Sequence, residues 1–170
     1  MIRCLLLSAA LLAACDRSAA VPNPVPCDVP GLANCVRSGD VLIGGQPSPA
    51  TLRYLASEGV TTVVSTRGHA EVSWDERATV EAFGMRFVHI PMDYPILGIT
   101  DAQIAALDSA LASPGGRVLL HCNSGNRVAG LWGAWLADRR GVASADALRL
   151  AAQAGMGNVR TAVEARLRGR

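Results

Sequence analysis

From Val41 onward, short β-branched runs alternate with helical stretches, and that alternation leaves very few architectures open. Val41-Leu42-Ile43 reads as a strand ending in Gly44-Gly45. Ser48-Pro49 reads as an N-cap followed by proline at the first helical position, opening a helix to about Glu58. Thr61 to Ser65 is a β-branched strand, and a helix from about Trp74 to Phe83 stops at Gly84. Arg86 to Pro91 is the next strand, and Thr100-Asp101-Ala102-Gln103 fits a capping box that starts a helix to about Ala112. Pro114-Gly115-Gly116 turns the chain into the strand Arg117 to His121. Helices over about Arg127–Arg140, Ala145–Gln153 and Val159–Leu167 complete it.

The expected fold class is therefore α/β, with a central mostly parallel sheet of four to five strands and helices on both faces. A chain of 170 residues is long enough for one such domain and too short for two of ordinary size. We assign it to residues 39–170. Ligands of open parallel sheets gather beyond the carboxyl ends of the strands, so the loops after Ser65, Pro91 and His121 are where a site is expected.

The N-terminus is of another kind. Arg3 precedes an apolar run from Leu5 to Leu12, too short to span a bilayer and of the size of a secretory signal core. The run ends in Leu12-Ala13-Ala14-Cys15, which resembles the bacterial lipobox. That resemblance implies a signal peptide over 1–14, lipidation of Cys15, and a protein held by acyl chains on the periplasmic face of a bacterial membrane. Residues 15–38, rich in Pro, Ala and Val, read as a tether. In an oxidising compartment Cys27 and Cys35 could close a small disulfide loop within it, or remain two unpaired thiols. The formal charge of +2 gives no electrostatic footprint for nucleic acid.

Export accounts for four of the five cysteines and leaves Cys122 alone. It stands in His121-Cys122-Asn123-Ser124-Gly125-Asn126-Arg127, between a strand and a helix. Loop N–H groups and a helix N-terminus converge there, both favouring negative charge, and Arg127 adds a guanidinium. Such a field favours a thiolate, the competent nucleophile. A buried cysteine in an ordinary strand–turn–helix connection is the plainer alternative.

His-Cys, a short polar turn, then Arg is similar to the signature of the dual-specificity and tyrosine phosphatases. Gly44-Gly45-Gln46-Pro47-Ser48, Thr62-Val63-Val64, His89-Ile90-Pro91 and His121-Cys122 together resemble a bacterial branch of them. That branch is the phosphatase-like domain called beta-lactamase-hydrolase-like, and the likeness covers about residues 40 to 155. The resemblance implies Cys122 as nucleophile and Arg127 as the clamp on the phosphoryl oxygens. It also implies that His121 orients the thiol and is counted with Asn123, Ser124, Gly125 and Asn126 among the substrate-binding residues, the last four lining the cradle. The implied substrate is a phosphorylated small molecule or protein, and no metal or other cofactor is required.

A phosphatase also needs an acid for the leaving oxygen. Asp93, after the strand Arg86 to Pro91, resembles the general-acid position, while Asp101 is taken up by its capping box. Arg67 lies at the same sheet edge and either contacts substrate or is solvated; His69 and His89 read as structural. Two departures stand out. Only four residues separate Cys122 from Arg127, where typical phosphatases have five; the shorter loop is the pattern of rhodanese-like sulfurtransferases, which pass through a persulfide. The hydroxyl residue that usually follows the Arg is Val128, and Ser124 is the available replacement. A sulfurtransferase and a non-catalytic oxyanion-binding module therefore stand beside the phosphatase. In the helix after the cradle, Val128, Leu131, Trp132, Trp135 and Leu136 form a core stripe, and Gly130 and Gly133 are expected to let that helix approach the sheet.

Overall fold

A computed structural model describes residues 20–93, 98–112 and 115–169. The leader over 1–14 and Cys15 lie outside the described residues. The elements follow in the order β1 (Val25–Pro26), β2 (Val36–Ser38), β3 (Val41–Gly44), α1 (Pro49–Ser57), β4 (Val60–Ser65), α2 (Glu76–Ala82), β5 (Arg86–His89), α3 (Asp101–Leu111), β6 (Arg117–His121), α4 (Asn126–Arg140), α5 (Ser144–Gln153) and α6 (Arg160–Arg168). The start signals act as expected: Ser48 Oγ accepts from Thr51 N at 3.1 Å, and Thr100 with Gln103 forms a reciprocal capping box.

One sheet runs in the order β1-β2-β3-β6-β4-β5. The pairs β3–β6, β6–β4 and β4–β5 are parallel, whereas β1 and β2 add antiparallel at the β3 edge. Side chains alternate across it. Ile43, Val64 and Leu120 enter a core with residues of α3, α4, α5 and α6, while Leu42, Val63 and Leu119 enter a second with residues of α1 and α2. A sheet buried on both faces explains why its strands are continuous apolar runs.

Among the described residues six strands are present where four or five were expected, because the described part of the supposed tether is folded. Residues 36–38 pair with β3, Leu32 and Cys35 are buried in the second core, and Ser38 Oγ donates to Pro22 O at 2.6 Å. Turn residues and prolines hid two short strands whose partner is an otherwise open sheet edge. Cys27 and Cys35 are joined by a disulfide.

The core stripe of α4 is buried, but so are Ala129, Gly130, Gly133, Ala134 and Ala137. The glycines do not face the sheet. A Cβ on Gly130 would stand 2.6 Å from Val159 Cγ2 and one on Gly133 would stand 2.5 Å from Ala151 Cβ, so both admit the α5–α6 layer. The sheet and that layer sandwich α4, which carries Arg127 in its first turn.

Candidate active site

The central strand β6 ends level with Gly44 of β3 and Ser65 of β4, so the chain emerges as Cys122 at the carboxyl edge of the sheet. Cys122 is almost wholly buried, yet it floors a pocket of about 230 Å³ that is also lined by Glu71, Asn123, Ser124, Asn126, Arg127 and Asn158. Gly125 turns the chain into α4 at φ +91°, a conformation that side-chain-bearing residues rarely adopt. Its N–H donates to Cys122 Sγ at 3.1 Å.

The loop carbonyls are held on the outside of this cradle. Asn123 O accepts from Gln46 N at 3.2 Å, and Ser124 O accepts from Asn34 Nδ2 at 3.1 Å. In a trans peptide the next N–H points opposite to the carbonyl. Anchoring these two oxygens outward therefore aims the N–H groups of Ser124 and Gly125 inward, where an anion would sit.

Arg127 reaches the same pocket, and its partner is a residue the sequence did not single out. Glu71, in the loop between β4 and α2, accepts from Nη1 at 2.6 Å and from Nη2 at 2.5 Å, and Met92 O accepts from Nη1 at 2.9 Å. Those bonds use three of the five guanidinium protons. The Nε–H and one Nη2 proton, which share an edge, remain for an oxyanion. The hydrogen bond from Arg127 holds the Glu71 carboxyl below the usual carboxylate range against a partial burial cost. Glu71 in turn, with Cys122 contributing less, raises the guanidinium above its ordinary value. Nothing in the local pattern around Glu71 marks it; only the fold brings it across 56 residues of chain to Arg127.

Other expected site residues take different places. His121 was read among the binding residues, but its side chain has no exposed surface; Nε2 lies 3.1 Å from Glu76 Oε1 beneath the sheet edge. Gln46 Nε2 donates to the same oxygen at 2.6 Å. Burial works against ionisation of Glu76, yet His121 and Gln46 together hold it below the usual range. A substrate cannot touch His121, whose link to Glu76 fixes the strand end that carries Cys122. Arg67 is part-buried rather than solvated: it donates to Gln46 Oε1 at 2.7 Å and to Glu71 O. It staples the Glu71 loop to the sheet.

Asp93 is exposed and is not among the pocket-lining residues, but it is close by. A side chain on Gly68 would collide with the Asp93 carboxylate and stand 3.1 Å from Glu71 Oε1, so both acids flank that glycine, and Glu71 lines the pocket. Asp101 is instead paired with Arg166 at 2.5 Å. Val128 is sealed in the core, whereas Ser124 lines the pocket. His89 Nε2 contacts Arg67 O at 2.8 Å, and its ring meets His69 edge-on. Among the described residues no group of three His, Cys, Asp or Glu could hold a metal ion.

Residues 36–139 match the sequence model of the family described as beta-lactamase hydrolase-like protein, phosphatase-like domain. The beta-lactamase hydrolase-like protein of Agrobacterium fabrum is 30% identical over 95 residues, which cover 53% of this chain and 22% of that protein. The matched part of the chain thus corresponds to about a fifth of that relative. Among solved structures, P. aeruginosa TpbA superposes with a TM-score of 0.67 at 23% identity, covering 87% of this chain and 90% of TpbA. A form of TpbA with its cysteine replaced by serine has been solved in complex with pTyr. Tk-PTP gives a TM-score of 0.65 at 21% identity, covering 83% of this chain and 98% of that one. Similarity at this level establishes the fold they share.

Proposed function

This chain belongs to the phosphatase-like domain family of beta-lactamase hydrolase-like proteins, and from that premise we propose that it hydrolyses phosphate monoesters through a cysteinyl-phosphate on Cys122. One observation carries the reading: Sγ, an inward N–H and the Nε/Nη2 edge of a fixed guanidinium meet at one pocket. Sγ attacks phosphorus in line while the loop amides and the Nε/Nη2 edge of Arg127 hold the equatorial oxygens. The ester P–O bond breaks as the P–S bond forms, and Asp93 delivers a proton to the leaving oxygen. Water, oriented by the pocket hydroxyl of Ser124, then gives a proton to the Asp93 carboxylate as its oxygen attacks phosphorus, and the P–S bond breaks, releasing inorganic phosphate and returning the thiolate. The TpbA complex makes phosphotyrosine a substrate to try first.

The test is release of phosphate from an aryl phosphate between pH 5 and 8 by the protein with its Cys27–Cys35 disulfide intact, sensitive to orthovanadate and lost in Cys122→Ser. Absence of release from wild type overturns the hydrolase. The four-residue spacing favours one rival, so a parallel incubation with thiosulfate is followed by mass spectrometry. A gain of one sulfur on Cys122 without phosphate release assigns the sulfurtransferase instead. Vanadate binding with neither reaction assigns an oxyanion-binding module.

We also propose that the protein works on the periplasmic face of a bacterial membrane, anchored through Cys15. The apolar leader and the Cys27–Cys35 disulfide support that compartment. Labelled fatty acid should enter wild type and not Cys15→Ala; equal labelling removes the anchor.

A further inference from the structure

We propose that Asn34, presented by the disulfide-closed loop Cys27–Cys35, is a positioning residue that aims the amides of the Cys122 loop at the anion. The loop lies outside the stretch matched by the family, which begins at residue 36. It is nonetheless built against the site. Cys27 N donates to Cys35 O at 3.0 Å, closing the ring that the disulfide locks. Leu32 is buried against Gly44, where a Cβ would fall 2.9 Å from Leu32 Cγ. Ala33 O accepts from Gly45 N at 2.8 Å, extending the pairing beyond β3 to the level of the catalytic loop. Gly45 in turn bridges Ser124.

Asn34 follows directly, and its backbone is unusual. Among the described residues it is the one non-glycine with positive φ, at +55°. Asparagine tolerates this left-handed region better than most residues, and such conformations collect where a side chain must be aimed. Here the side chain is aimed at Ser124 O, at 3.1 Å. The peptide whose carbonyl it grips is the one whose N–H, on Gly125, donates to Cys122 Sγ at 3.1 Å. Because that peptide is planar, a pull on the oxygen from outside is an orientation of the N–H inside. The sequence offered only two cysteines with a possible bridge; the bond from residue 34 to residue 124 gives the bridge a purpose.

The role of the Cys122 loop in turnover rests on the function proposed above, so the test includes a measurement that needs no turnover. Asn34→Gly keeps the left-handed backbone accessible and deletes only the amide. Loss of one exposed hydrogen bond should weaken orthovanadate binding and kcat/KM about three- to fivefold, with Tm little changed. Dithiothreitol should produce the same loss of kcat/KM in wild type. Its two thiols reduce the S–S bond, the reagent closes to its cyclic disulfide, and Cys27 and Cys35 each end as thiols. In Asn34→Gly the reagent should add little. Alkylation of Cys122 by iodoacetamide, followed by mass spectrometry with the disulfide intact, should be slower in Asn34→Gly than in wild type, because a Gly125 N–H no longer held toward Sγ stabilises the thiolate less. Equal alkylation and equal vanadate affinity in the two proteins overturn the role of Asn34. If wild type neither binds vanadate nor releases phosphate, the phosphatase reading fails, and the alkylation rates alone decide the positioning role.

Discussion

Glu71 meets Arg127 end-on, each carboxylate oxygen taking one terminal nitrogen, at 2.6 and 2.5 Å. That grip leaves the Nε/Nη2 edge of the guanidinium turned toward the pocket of Cys122. An oxyanion bound on that edge would not need to displace Glu71, because the two carboxylate contacts and that edge belong to different sides of one planar group.

Glu71→Ala should therefore lower kcat/KM for an aryl phosphate by about ten- to a hundredfold, the value of a hydrogen bond to a charged group. The opposite result is as informative. A carboxylate competing with substrate for Arg127 would, once removed, give a lower KM and an unchanged kcat, and steady-state kinetics on the one variant separate the two outcomes. Arg127→Lys should cost about a hundredfold even with Glu71 present, since a lysine ammonium offers no second donor edge.

Asp93→Asn should slow esters with poor leaving groups far more than those with good ones, because only the former need a proton in the transition state. A series of aryl phosphates of graded leaving-group acidity reads this directly. An equal slowing across the series would place the general acid elsewhere.

The buried Glu76–His121 contact should contribute to stability in a pH-dependent way. Burial opposes ionisation of Glu76, but His121 and Gln46 outweigh it and hold the carboxyl below its ordinary value of 4.5. A group lowered in the folded state stabilises fully above its unfolded value and loses that contribution as pH falls through the folded one. Glu76→Ala should cost about 3 kcal/mol at pH 7, by urea unfolding, as a broken buried pair does. The difference from wild type should shrink below pH 4.5; a difference independent of pH would show that the charge is immaterial.

Gly133→Ala should destabilise the protein by about 1–3 kcal/mol despite the better helix propensity of alanine, because the new methyl would stand 2.5 Å from Ala151 Cβ. Thermal unfolding checks it. A raised Tm would mean that α5 moves away from α4 at no cost.

Much of this molecule was legible in one dimension. The caps of α1 and α3, the parallel strands and the placing of Cys122, Gly125 and Arg127 on one turn depend on neighbours within a few residues, where φ preferences and side-chain periodicity act. His121 and Arg67 show the limit of that reading. Their positions at the sheet edge followed from the pattern, but a buried glutamate claims one, and Gln46 with the Glu71 backbone claims the other. Residues 25–38 read as tether because prolines and turn residues mask strands that form only by adding outward from the edge of β3, β2 on β3 and β1 on β2.

Local chemistry by itself determined the α/β alternation and a loop able to present sulfur, amides and a guanidinium together. Tertiary structure alone decided that Glu71 orients Arg127, that Glu76 rather than substrate engages His121, and that Asn34 reaches Ser124 across 90 residues of chain. The physical reason is reach: backbone preference acts over a turn or two, whereas the partner of a buried charge or an anchored carbonyl is set by which segments the packed core brings together.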